Sequence, residues 1–196
     1  MAITLQKNSS ISLEKAAGKK LKAVTLGLGW DPAKPNGLLK KIFGSAQNAI
    51  DLDASAIMID DNNKSFDIVW FRQLSSLDGS ISHSGDNLTG EGEGDDESIY
   101  INLLHLPEKT KHIVFTVNSF RGQTFDSVEN AYVRILNPET GDEIAKLNLT
   151  GKGSHTGLVM GRMSRTADGW EFHAIGSATR AQTVQSLKTL AENSTS

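Results

Sequence analysis

Cysteine is absent from the 196 residues, so disulfides, thiolate nucleophiles and cysteine-ligated zinc are excluded. No apolar run approaches the roughly 18 residues that a membrane-spanning helix requires. The opening stretch, Met1-Ala2-Ile3-Thr4-Leu5-Gln6-Lys7, lacks the basic and then apolar regions of a secretory signal, and the cytoplasm is the expected location. An excess of base is missing too. Lys and Arg number 20 against 23 Asp and Glu, a net charge of −3, which argues against a sequence-blind nucleic-acid binder, because displacing counterions from phosphate takes a basic surplus. Hydrophobic residues make up 38% of the chain and charged ones 22%, enough to bury a core. The length favours a single domain over 1–196.

What the chain does have is strand and turn. Lys22–Leu28, Ala54–Ile59, Phe66–Phe71, Ile99–Leu103, His112–Val117, Ala131–Leu136, Glu143–Leu149, Gly157–Met163 and Trp170–Ile175 are short runs rich in β-branched and aromatic residues. Several alternate with period two. Between neighbours stand Asp60-Asp61-Asn62-Asn63, Asp78-Gly79, Asn137-Pro138-Glu139-Thr140-Gly141 and Asp168-Gly169, residue types that accept the left-handed backbone of tight connections. No crossover helices separate the runs. The expectation is an all-β sandwich of two mostly antiparallel sheets. Ala178, Ala181, Val184, Leu187 and Leu190 recur every three residues, which predicts a C-terminal helix over 178–192. Asn193–Ser196 are expected to fray. The stretch 34–49 interrupts the strand pattern; its LLKKIF core either folds back on the body or touches a membrane surface peripherally, and six residues are few for an interfacial helix.

Charge is unevenly spread. Between Asp86 and Glu97 lie six acids, Asp86, Glu91, Glu93, Asp95, Asp96 and Glu97, with no base and three glycines. Without them the chain holds 20 bases against 17 acids, so one dozen residues sets the sign of the protein. Such a run is either a solvated acidic loop or a set of oxygen ligands. Gly85, Gly90, Gly92 and Gly94 permit the backbone to curl and bring oxygens together, and converging oxygens are what Ca²⁺ takes, with 6–8 of them at about 2.4 Å. Asp51-Leu52-Asp53 adds a pair. Residues two apart on a strand share a face, about 6.6 Å between Cα atoms, so both carboxylates can reach one ion while Leu52 faces the core. Asp31, after Gly29-Trp30, is a third possible donor. Spacing alone leaves both readings standing.

Other constellations fail on inspection. The Asp86–Glu97 window has acids at its first and twelfth positions, but Leu88, Gly90 and Glu91 stand where an EF-hand needs two further ligands and its turn glycine. The five histidines show no metal-ligand spacing. Gly153-Ser154-His155-Thr156-Gly157 has His where a nucleophile elbow needs Ser, and Gly27-Leu28-Gly29 lacks the third glycine of a dinucleotide loop. No residue pattern argues for catalysis.

Taken together, Gly27-Leu28-Gly29-Trp30-Asp31, Asp51-Leu52-Asp53-Ala54-Ser55, the block Gly85–Glu97, Asn118-Ser119-Phe120-Arg121-Gly122-Gln123-Thr124-Phe125 and Asn130-Ala131-Tyr132-Val133-Arg134 resemble the TerD family of tellurium-resistance and stress-response proteins, nearest its TerZ-like branch. The resemblance runs from about Leu21 to Gly176. It implies a two-sheet β-sandwich without enzymatic activity that binds Ca²⁺ through acidic loops, in a bacterial cytoplasm, alongside other proteins of a tellurite-resistance system. By position it implies Asp31, Asp51, Asp53, Asp86, Asn87, Glu91, Asp95, Asp96 and Glu97 as metal ligands, with Glu93 where relatives often have Asp. The rival reading is a nucleotide or phosphate binder in which the metal assists and Arg121, Arg134 or Lys152 clamps the phosphate.

Overall fold

The computed structural model describes residues 2–32, 51–88, 94–149 and 153–195; the expectation for 34–49 falls outside them. Twelve described strands form two six-stranded sheets. The first sheet has the order β1 (Ile3–Leu5), β10 (Glu143–Asn148), β9 (Val128–Leu136), β3 (Ala23–Pro32), β7 (Glu97–Asn102), β6 (Ile81–His83). The second runs β2 (Ser10–Ser12), β12 (Gly169–Thr179), β11 (Gly157–Thr166), β8 (His112–Ser119), β4 (Leu52–Ile59), β5 (Ser65–Val69). Every described pair is antiparallel except β1 with β10, where Ile3, Thr4 and Leu5 run alongside Ala145, Lys146 and Leu147. The expected sandwich is what the chain forms.

The two sheets differ in how their outer faces are covered, and the residue patterns say so. β9 reads VENAYVRIL, with buried and half-exposed positions in near alternation, as a strand does when one face meets water. β4 and β8 are buried at all eight positions. Leu52, Ala54, Ala56 and Met58 meet Ile113, Phe115 and Val117 in the core between the sheets, whereas Ile57, Ile59 and Val114 form a second apolar cluster with Val159, Val184 and Ala191. A C-terminal helix, α2 (Val184–Asn193), covers that second face.

The helix begins later than the spacing predicts. Ala178 and Thr179 still pair with Leu158 and Gly157, and Thr183, in extended conformation, caps the first turn by accepting from the Ser186 N–H. The apolar repeat at 178 and 181 therefore belongs to the strand and its exit. Nor does the terminus fray through 195. A guanidinium N–H of Arg162 donates to the Ser194 carbonyl, the Thr195 hydroxyl donates to the Glu192 carbonyl at 2.6 Å, and Thr195 is buried. Glu192 in turn accepts from the Ser65 N–H and hydroxyl, which fastens α2 to the start of β5.

The first twenty residues add one short edge strand to each sheet and a five-residue helix, α1 (Leu13–Ala17), capped by Ser12 and ended by Gly18 at φ 67°. Runs of three such as ITL and SIS are too short to register as period-two patterns, which is why only the structure reveals them.

Docking of α2 should rest on packing more than on its cap. Leu187 is fully buried, and Leu187→Ala is expected to cost about 2–5 kcal/mol; Thr183→Ala should cost about 1 kcal/mol. Urea unfolding of both variants checks the order, and equal losses would mean that the helix is not an integral layer.

Candidate metal centre

The acids meet at one end of the sandwich, where β4 and β7 begin and β3 ends. Asp51 and Asp53 flank Leu52 on the way into β4. Leu52 is in the inter-sheet core, and the period of two puts the carboxylates together on the opposite side. One carboxylate oxygen each from Asp51, Asp53 and Asp86 lie within 4.8 Å of one another. Asp51 and Asp53 expose only 4% and 2% of their surface, while Asp86 is exposed. Two carboxylates of a three-acid cluster are thus almost out of water.

Their partners are few. Asp53 Oδ2 accepts from the Asn118 side-chain amide at 2.9 Å. Asp51 Oδ2 accepts from Arg121 Nε at 3.3 Å, but Asp51 Oδ1 is buried with no hydrogen-bond partner among the described residues. A buried oxygen left so costs on the order of 1–3 kcal/mol, more when charged. Burial pushes the Asp53 carboxyl up to about 8, helped by repulsion from Glu97, Asp51 and Asp86 and opposed by the Asn118 bond. Burial, then Asp86, also raises Asp51, against the pull of Arg121.

Three consecutive acids then diverge. Glu97, fully buried, accepts from the Ala54 N–H at 2.7 Å and the Asn87 N–H at 3.2 Å. It joins the head of β7 in one sheet to β4 in the other. His83 supports it: Nδ1 accepts from the Gly85 N–H at 3.0 Å, so the ring proton sits on Nε2, which faces the Ala54 carbonyl at 3.2 Å and Glu97 at 3.4 Å. Asp96 accepts from the Trp30 N–H at 2.9 Å and the Asn87 amide at 3.1 Å. Burial, together with the charges of Asp31 and Asp95, raises its carboxyl against the Trp30 bond. Asp31, exposed, accepts from the Asn130 amide at 2.7 Å.

Asp95 turns the other way. It lies on the outer face of the first sheet, over Gly27, where a Cβ would collide with its carboxylate. There Arg134 Nε donates to it at 2.8 Å and the Tyr132 hydroxyl at 3.2 Å. Gly94 at φ 99° makes the turn that sends it there. Of the ten expected ligands, the structure gathers Asp51, Asp53 and Asp86 and sets Glu97 and Asn87 directly behind them. Asp31 and Asp96 form a neighbouring pair, Asp95 is committed to Arg134, and Glu91 and Glu93 lie outside the described residues.

Sequence reasoning missed His83 and Asn118. Asn118 is the cross-strand partner of Asp53, 65 residues away, and only its place in the Asn118–Phe125 block hinted at a role. The same amide also donates to the Gln182 carbonyl at 3.0 Å, just before α2.

Comparison with known proteins shows the family. The TerD domain model matches residues 1–193. The chain is 47% identical to the tellurium resistance protein TerZ of Serratia marcescens over 94% of both chains. It is 37% identical to the stress response protein SCP2 of Bacillus subtilis (strain 168), over 91% of this chain and 94% of that one. A crystal structure of a homologue of the telluride resistance protein TerD from Streptomyces coelicolor superposes with a TM-score of 0.69 at 22% identity, covering 88% of this chain and 98% of the other, a likeness of fold. The chain belongs to the TerD family of tellurium-resistance and stress-response proteins.

Proposed function

We propose that this protein is a non-catalytic Ca²⁺-binding member of its resistance and stress-response system, acting in the cytoplasm as a scaffold or sensor for other proteins of that system. The observation that carries this reading is the buried Asp51 Oδ1, without a hydrogen-bond partner among the described residues, in a cluster with Asp53 and Asp86. Asp51, Asp53 and Asp86 would hold the ion, whose charge would offset the repulsion that raises Asp51 and Asp53. The donors are all oxygen, which suits a hard cation. Among hard cations Ca²⁺ takes 6–8 oxygens in flexible geometry, whereas Mg²⁺ demands a near-ideal octahedron and sheds water reluctantly, so an irregular set of carboxylates within 4.8 Å of one another suits Ca²⁺ better. The relatives' names, of resistance and stress proteins, support a role without chemistry. A phosphate-binding alternative has less support, because Arg134 is already held by Asp95 and Glu143.

An ion bound only by the folded state adds about 2.7 kcal/mol at a hundredfold excess over Kd, on the order of 5–10 °C in Tm for a chain of this size. Asp53→Asn should abolish most of that shift and leave the metal-free Tm unchanged or slightly raised. Asp142→Asn, at an exposed position of the turn after Asn137, is the control and should keep it. Differential scanning calorimetry with Ca²⁺, Mg²⁺ or chelator decides; a wild-type Tm indifferent to chelation, or Mg²⁺ acting as well as Ca²⁺, counts against the reading.

The raised Asp53 carboxyl fixes a second expectation. Its pKa is 3.8 unperturbed and about 8 folded, so between those values the folded state holds more protons than the unfolded one. Stability of the metal-free protein should therefore fall as pH rises from about 4 to about 8, by at most about 1.4 kcal/mol per pH unit for one proton. Ca²⁺ must displace that proton, so affinity should climb over the upper part of the same range. Urea titrations across pH on wild type and Asp53→Asn test this, and identical slopes for the two would remove Asp53 as the cause.

A further inference from the structure

Three strands away from the acids, at the same end of the sandwich, the two sheets part. A cavity of about 510 Å³ opens there, within the roughly 300–1,000 Å³ range of small-molecule sites. Its floor is core: Leu5 and Leu147 from one sheet, Leu158 from the other, and Phe125 from the turn before β9, all buried. The corner is held open by a bulge. Val159 pairs with Ser177 but Gly161 pairs with Ala174, so one residue of β11 opposes two of β12. Gly176, at φ 62°, sits in that bulge, and the local bend turns the strand end away from the facing sheet.

The rim is polar. Lys7 and His155 line it, with Gln6 and Asn148, and no carboxylate among the described residues does; burial lowers the His155 imidazole against the nearby charge of Asp126. His155 stacks on Phe125 at 4.7 Å between ring centroids, which makes the two rings one wall. Lys7 is placed by a closed turn: the Ser9 N–H and hydroxyl both donate to the Gln6 carbonyl, and Ser9 Oγ accepts from the Gln6 N–H. The Asn8 N–H then donates to the Ala174 carbonyl at 2.7 Å, tying that turn to β12. The Lys7 stem lies beside Gly176, and among the described residues its ammonium makes no ion pair. An apolar floor beneath a lysine, with no carboxylate among the described lining residues, selects one chemical class.

We propose that this corner cavity is a ligand site distinct from the acidic cluster, for a small monoanion carrying an apolar tail, a medium-chain carboxylate being the type. The tail fills the space over Leu5, Leu147, Leu158 and Phe125, and the anionic head meets Lys7 at the rim. Burying apolar surface supplies the affinity, at about 25 cal/mol per Å², and the ammonium supplies the choice of sign.

Isothermal titration with decanoate, decanol and acetate tests it, in chelator so that no carboxylate acts through a metal. Expected is saturable one-to-one binding of decanoate, with decanol and acetate at least tenfold weaker. Lys7→Glu, at an exposed position, should lose at least tenfold for decanoate at an unchanged Tm. Ala178→Trp, at an exposed position on the cavity wall, should block binding. Asp53→Asn should bind decanoate as wild type does, which separates this site from the metal reading. Absence of decanoate binding, equal binding of decanol, or indifference to Lys7→Glu or to Ala178→Trp would each overturn the proposal.

Discussion

Two carboxylates held side by side out of water impose the constraint around which this end of the molecule is organised. Asp51 and Asp53 point the same way because they are two apart on an extended chain, and they are buried because Leu52 between them is anchored in the core. Left as neighbouring anions they would repel each other by several times what the same pair costs in bulk water. Burial and mutual repulsion raise both carboxyls, and the fold answers with single hydrogen bonds from Arg121 and Asn118. Neither bond reaches Asp51 Oδ1, which has no partner among the described residues. A divalent cation would neutralise both charges and engage that oxygen, which is why the proposed function follows from the electrostatics.

Around that cluster the bonds are structural. Glu97 uses both oxygens on backbone N–H groups, one in β4 and one at Asn87, so it binds the sheets and the acidic loop together behind the cluster. Asn118 does similar work on the far side, dividing its amide between Asp53 and the carbonyl of Gln182. The entry to α2 is therefore two hydrogen bonds away from a carboxylate of the cluster. A change in the charge on Asp53 bears directly on the residue that seats the helix, and α2 covers the apolar outer face of β4, β8 and β11.

Much of this was legible in the residues. The period-two runs and the Asp, Asn and Gly turns between them gave the sandwich, and the pair Asp51 and Asp53 flanking an apolar residue gave the strand-borne half of the site. Asp95, Asp96 and Glu97 were not separable by sequence: composition makes them equivalent, and only the turn at Gly94 and the bare backbone of Gly27 send Asp95 to Arg134. The helix start was misplaced because Ala178 fits a helical stripe as well as the end of a strand. Asn118 and His83 escaped because their significance lies in cross-strand and loop contacts, which local pattern does not encode.

The most direct test of the cluster as a Ca²⁺ site is anomalous diffraction from crystals grown with Ca²⁺. Expected is a single strong peak with carboxylate oxygens of Asp51, Asp53 and Asp86 at about 2.3–2.6 Å, Asp51 Oδ1 among them. A Ca²⁺-saturated crystal in which that position holds only water, or in which the peak falls elsewhere while Asp51 Oδ1 stays without a partner, would contradict it.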